Sequence, residues 1–197
     1  MSISGVQPKL SMSRQGSKLI PVTAGGQFIL KPQTERFPLL PQNENLCMMI
    51  AGLMEIATPP HGLFDLLDGS PAYLVRRFDR TKDGSKLRCE DFAQILGEDD
   101  KYSGSMEQIG KKIRELSSVH GLDVQLFFER VLLNFLLGNG DAHLKNFSML
   151  EADDGGLRLS PAYDIMMEQV QHSRLTGDMQ DKVRRIVEDR HQRMLGR

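Results

Sequence analysis

Gly138-Asn139-Gly140-Asp141-Ala142-His143-Leu144-Lys145-Asn146 sets an aspartate and an asparagine five positions apart on a loop that two glycines permit. Just before it, residues 122–137 read as a helix in which Phe128, Val131, Leu132, Phe135 and Leu136 form a continuous apolar stripe. Gly138 and Gly140 stop that helix and open the loop. After it, residues 147–150 and 157–159 read as a small β-hairpin around Asp153-Asp154-Gly155-Gly156. Residues 105–119 read as another helix, and residues 178–195 space Val183, Ile186, Val187 and Met194 on one face of a surface-docked helix.

The part of the chain before this is different in character. Short β-like runs occupy residues 9–13, 18–22 and 27–31, with Gly25-Gly26 as a hairpin turn between the second and third. Pro32, Pro38 and Pro41 then break the pattern. Asn43 is expected to cap a helix that puts Leu46, Met49, Ile50 and Leu53 on one face and ends before Pro59-Pro60. Strands follow at 63–67 and 72–76, separated by Asp68-Gly69-Ser70. The polar segment 79–86 divides this β-rich part, with its one inserted helix, from the helical remainder. The expected organisation is α+β, with residues 1–80 as one unit and 81–197 as the other.

Composition narrows the class. The 25 basic and 26 acidic residues are interspersed, so no basic tract marks nucleic acid as a direct partner. Cys47 and Cys89 stand far apart without a C-x-x-C pair, which argues against a zinc site or a disulfide framework and fits a reducing cytoplasm. No apolar run approaches the roughly 18 residues of a spanning helix, and the first residues lack the regions of a signal peptide; the expectation is a cytoplasmic protein with no membrane partner.

The Asp-x-x-x-x-Asn spacing is that of kinase catalytic loops, where the aspartate accepts or orients the proton of an acceptor hydroxyl and the asparagine oxygen ligates magnesium. A second carboxylate is then needed for the metal, and Asp164, beyond the hairpin, stands where it would return to the site. Lys31, ending a strand, could reach nucleotide phosphates, and Glu44, early in the next helix, could hold it by an ion pair. The same groups also suit plainer duties: Asp and Asn cap and turn loops, and a strand-end lysine and a first-turn glutamate are common surface features. Order tips the balance, because a strand lysine, a helix glutamate, a hinge-like strand, a helix and then Asp, Asn and Asp follow one another. His143 is given a structural hydrogen-bonding role. Cys47, Met48, Met49 and Met54 are read as core filling.

Several stretches together resemble the HipA-like kinase family: Ser2-Ile3-Ser4-Gly5-Val6-Gln7-Pro8-Lys9, Ile29-Leu30-Lys31-Pro32, Asn43-Glu44, Arg77-Phe78-Asp79-Arg80, Glu90-Asp91-Phe92, residues 138–148 and Pro161-Ala162-Tyr163-Asp164. The resemblance implies a two-lobed, protein-kinase-like fold, with a small β-rich N-lobe, a mainly helical C-lobe and ATP between them. It implies that residues 2–9 form a phosphate loop in which Ser2 or Ser4 is autophosphorylated, that Lys9 and Lys31 contact phosphates with Glu44 pairing Lys31, and that the backbone of Arg76, Arg77 and Phe78 holds adenine. It also assigns catalysis to Asp141 and Mg2+ binding to Asn146 and Asp164.

The family's full-length toxins carry a subdomain ahead of the phosphate loop. Its lack here, and the Ser-Ile-Ser form, are similar to the short HipT-type kinases of three-component toxin-antitoxin systems, where a HipS-like small protein supplies that part. After Met167 the sequence passes quickly into residues 173–197, which resemble the family's C-terminal helix. The resemblance implies a serine/threonine protein kinase toxin acting on an aminoacyl-tRNA synthetase, tryptophanyl- or glutamyl-. A HipB-like antitoxin would be its partner, with DNA reached only through that antitoxin. The alternatives are a partner-binding pseudokinase and a small-molecule phosphotransferase.

Overall fold

The computed structural model describes residues 8–35 and 39–167. Residues 2–7, with Ser2 and Ser4, and the helix expected over 178–195 lie outside the described residues.

The first part is a five-stranded antiparallel sheet. β1 (Leu10–Gln15), β2 (Lys18–Pro21), β3 (Phe28–Pro32), β4 (His61–Asp65) and β5 (Pro71–Arg76) lie in the order β2-β1-β3-β5-β4, and α1 (Leu40–Leu53) is inserted between β3 and β4. β5 is covered on both faces, which explains its unbroken apolar run. Tyr73 and Val75 pack with Cys47, Met48, Ile50 and Ala51 of α1, whereas Ala72 and Leu74 pack with Met12 and Leu30.

Three expectations for this part are corrected. Gly25-Gly26 is not the turn of a hairpin, because β1 lies between β2 and β3 and pairs with both. Gly26 is there for clearance: a Cβ on it would stand 2.1 Å from Ser11 Oγ and 2.9 Å from the Met12 backbone. Nor does Asn43 cap α1. The helix starts at Leu40 with Pro41 in its first turn, and Asn43 is buried inside it. Its amide donates to Met167 O at 2.9 Å and accepts from Met167 N at 3.1 Å. The helix is rotated accordingly: Glu44, Cys47 and Met48 face inward, while Met49 and Leu53 face out, so Met49 is not core filling.

The remainder holds β6 (Cys89–Asp91), α2 (Phe92–Leu96), α3 (Met106–Leu116), α4 (His120–Leu137), β7 (Ser148–Glu151) and β8 (Leu157–Leu159). β7 and β8 form the expected hairpin, and β6 adds a third strand in the order β6-β7-β8. Asp91 and Ser105 cap α2 and α3 through capping boxes, and Gly138 ends α4 in the left-handed conformation. Phe92, Ile109, Ile113, Phe127, Leu144, Phe147 and Met149 form the core here. The apolar stripe of α4 lies on its outer side: Phe128, Leu132, Phe135 and Leu136 are exposed, and Phe127, Arg130, Leu133 and Asn134 are turned inward.

Replacing Gly26 with alanine forces a Cβ against the Met12 backbone, which cannot rotate away. We expect Gly26→Ala to cost about 1–3 kcal/mol, read as a lower urea midpoint at unchanged slope.

Candidate active site

Lys31 emerges from β3 and is only 3% exposed. A buried ammonium needs compensating charge, and two carboxylates provide it. Glu44 of α1 accepts from Lys31 Nζ at 2.5 Å, and Asp164 accepts from the same nitrogen. Lys9 approaches Asp164 from β1's end at 3.9 Å. The Lys31 ammonium also lies 5.7 Å from the centre of the buried Tyr73 ring. Lys9, Lys31, Glu44 and Asp164 thus form one charge cluster from four separate segments.

The electrostatics follow from burial and pairing. Burial alone would lower Lys31, but Asp164 and Glu44 outweigh it and hold it above the ordinary lysine range. Burial likewise opposes ionisation of Asp164, yet Lys31 and Lys9 hold that carboxyl well below the usual range. Glu44 goes the other way: burial pushes it up to about 7 against the pull of Lys31, and its Oε2 has no hydrogen-bond partner. Asp164 also adopts a left-handed φ of 53°, unusual for a residue other than glycine. Glu44 is five residues into α1, so the helix dipole does not account for it.

The catalytic-loop candidates sit after α4. Asn146 ends a single 3-10 turn, Leu144–Asn146, and its Oδ1 accepts from the His143 backbone N–H at 2.8 Å. Its second lone pair is left for another ligand. Tyr163, next to Asp164, ties the two segments together: its hydroxyl donates to Lys145 O at 2.8 Å and meets Ser148 Oγ at 2.6 Å. Asp141 is 49% exposed in its side chain. His143 is held below its ordinary value by burial and by Lys101, although Asp141 and Asp164 pull it up. Its ring does not make the expected structural hydrogen bond, since Nδ1 has no partner and Nε2 stands 4.0 Å from Asp141.

At the expected hinge, Arg76 ends β5 and the Arg77 N–H donates to Gln27 O at 2.8 Å. Arg77 grips Asp79 with both Nε and Nη2, at 2.9 and 2.7 Å, and Arg80 adds a third contact at 2.8 Å. The Phe78 ring packs against Tyr163 at 5.3 Å. Sequence reading missed Tyr163, Lys101 and Tyr102. The Pro-Ala-Tyr-Asp run could have flagged Tyr163, whereas Lys101 and Tyr102 lie in an aperiodic polar loop that carries no signal.

Among the described residues, no cluster of three or more His, Cys, Asp and Glu is placed to hold a metal ion. Asn146 and Asp164 offer hard oxygens only, a donor set that fits magnesium, an ion usually held by one or two carboxylates together with phosphates and water.

The two carboxylates of the cluster should give opposite pH responses. Glu44 is raised on folding, so the folded state takes up more protons between about 4.5 and 7, and its contribution is lost as pH rises through that window. Asp164 is depressed, so its contribution is present above the ordinary carboxylate value and lost as pH falls below about 4. We expect Glu44→Gln to flatten the decline in urea midpoint between pH 4.5 and 7 and to leave the acid limb in place.

Residues 1–194 match the family model described as the HipA-like C-terminal domain. A Haemophilus influenzae protein named "Putative kinase" is 32% identical over 179 residues, 84% of this chain and 52% of its own length. A Sinorhizobium fredii protein named "Putative kinase Y4dM" is 36% identical over 84% of this chain and 44% of its own length. The chain therefore spans about half the length of the curated relatives it matches. Among solved structures, the Shewanella oneidensis HipA toxin, crystallised with HipB and operator DNA, superposes with a TM-score of 0.67 at 24% identity, over 86% of this chain and 44% of that one. The Helicobacter pylori proinflammatory kinase CtkA gives 0.59 at 14% identity, over 92% and 62%. The fold is kinase-like, and by the family match the chain belongs to the family of HipA-like C-terminal domains.

Proposed function

We propose that this chain is an ATP-dependent serine/threonine protein kinase, with residues 1–80 and 81–197 as its two lobes. The observation that carries the reading is Lys31 held between Glu44 of α1 and Asp164, the arrangement a kinase needs to aim one cation at nucleotide phosphates. Lys31 and Lys9 bind phosphate oxygens, and the backbone of Arg76, Arg77 and Phe78 receives adenine. Asn146 and Asp164 hold magnesium, which when bound neutralises charge on the phosphates. Asp141 accepts the proton of the acceptor hydroxyl as its oxygen bonds to the γ-phosphorus and ADP departs with the bridging oxygen.

The wider role follows the family. The acceptor is a protein serine, with an aminoacyl-tRNA synthetase, tryptophanyl- or glutamyl-, as substrate, and Ser2 or Ser4 as the autophosphorylation site. A phosphate there adds about two negative charges to a segment that must face nucleotide phosphates, so repulsion switches the enzyme off. A HipB-like antitoxin and a HipS-like small protein are the partners, with DNA reached only through the antitoxin; the presence of HipB and operator DNA beside the Shewanella toxin supports the antitoxin. Free thiols at Cys47 and Cys89 suit the cytoplasm.

The test is intact-mass spectrometry of dephosphorylated protein incubated with magnesium and ATP, followed by peptide mapping. We expect one or two added phosphates on Ser2 or Ser4, absent in Asp141→Asn. No added mass, with nucleotide still bound, would instead identify a partner-binding pseudokinase or a small-molecule phosphotransferase.

A further inference from the structure

Asp141 sits on a loop bounded by glycines with half its side chain exposed, so nothing in its own segment fixes the carboxylate. A different segment does. Residues 97–105, between α2 and α3, place the Tyr102 hydroxyl 2.5 Å from Asp141 Oδ1, donating to it, and Lys101 Nζ 3.5 Å from the same oxygen. Lys101 also lies over the Tyr102 ring, 4.6 Å from its centre, and that ring meets His143 edge-on at 5.5 Å. Asp141 Oδ2 faces His143 Nε2 at 4.0 Å, beyond hydrogen-bond reach.

The segment is fitted to the catalytic loop. The buried Leu144 donates its N–H to Lys101 O at 3.2 Å. Gly104 allows the close approach, since a Cβ there would fall 2.6 Å from Leu144 Cδ2 and force the buried Leu144 side chain to shift. Ser105 then fixes the segment's end by capping α3.

We propose that Tyr102, supported by Lys101, is a positioning residue for Asp141, holding the carboxylate by Oδ1 so that Oδ2 is presented to the acceptor hydroxyl. The inference rests on the kinase reading above. In the transfer, the acceptor O–H proton moves to Oδ2, the acceptor oxygen bonds to the γ-phosphorus, and the bond from that phosphorus to the bridging oxygen breaks with its electron pair leaving on ADP. Tyr102 exchanges no proton; it keeps the carboxylate from rotating while Lys101 holds the phenol ring in place.

Two measurements test this. The chain has three tyrosines, so a tyrosine label at Cζ gives three carbon resonances that single substitutions assign. We expect Asp141→Ala to move the Tyr102 signal and leave Tyr73 in place; an unmoved Tyr102 signal overturns the contact. With dephosphorylated protein, magnesium and ATP as the probe and the initial rate of ADP release as the readout, we expect Tyr102→Phe to lower the rate at saturating ATP about tenfold with the half-saturating ATP concentration within about twofold, and to cause no further loss in an Asp141→Asn background. A wild-type initial rate in Tyr102→Phe, or an equal loss in both backgrounds, overturns the positioning role. A wild-type protein that shows the Tyr102 contact but neither adds phosphate nor releases ADP overturns the kinase reading itself, and the positioning role with it.

Discussion

A lysine ammonium removed from water must be neutralised locally or give up its proton, and the rest of this structure is arranged around the first solution at Lys31. Its partners come from elements far apart in sequence, with Asp164 lying 133 positions away. β3 must therefore end beside α1, and the chain must return after β8 to the same point. Replacing such a buried charged group by apolar side chains of similar volume often leaves stability unchanged or improved, whereas removing one partner alone is strongly destabilising. The cluster is better understood as a device that fixes where a positive charge points than as a source of stability. The left-handed φ of Asp164 agrees, since a strained residue persists only where its surroundings over-determine it.

What over-determines it can be traced bond by bond. The Ser160 N–H donates to Ser148 O, and the Ala162 N–H to Ala57 O, so the chain is pinned to β7 on one side and to the connection between α1 and β4 on the other. Tyr163 then reaches Lys145 and Ser148, and Asn43 clamps the backbone of Met167. Ile165 and Met167 fill the core beneath α1 with Cys47, Met48 and Leu133. Each hydrogen bond contributes about 1 kcal/mol, but together they leave Asp164 one position to occupy. Phe78 against Tyr163 extends the same frame to the segment after β5.

Much of this was legible in advance because it depends on local rules. The strands of the first sheet, the β4–β5 and β7–β8 hairpins, the glycine stop at Gly138, and Lys31, Glu44 and Asp164 as one constellation all follow from turn chemistry, periodicity and motif order. The two misread helix faces share a cause. Periodicity finds the apolar face of a helix and assumes that it faces inward, but α1 is turned by the need to bring Glu44 to Lys31, and α4 turns Arg130 and Asn134 inward and Phe128 and Phe135 out. Arg130 shows the cost, with burial lowering it to about 10 and two of its nitrogens unpartnered. Tyr102 and Lys101 were invisible for a different reason: an aperiodic loop signals its partner only through the three-dimensional approach that Gly104 allows.

On the proposed kinase reading, Asp164 and Asp141 show how surroundings can suit one chemical group to two duties. Asp164 is largely enclosed, contacts two ammonium groups and stays ionised, so it is suited to holding a cation and poorly suited to taking up a proton. Asp141 is half exposed, bound through one oxygen and open at the other, so an incoming hydroxyl can reach it without displacing a buried ion pair. Exchanging these environments would defeat both proposed roles: an enclosed, cation-paired Asp141 would release no lone pair, and an exposed Asp164 would lose its pairing with Lys31. The surroundings therefore support the proposed division of roles alongside motif order, with Tyr102 and Lys101 at one carboxylate and Lys31 and Lys9 at the other.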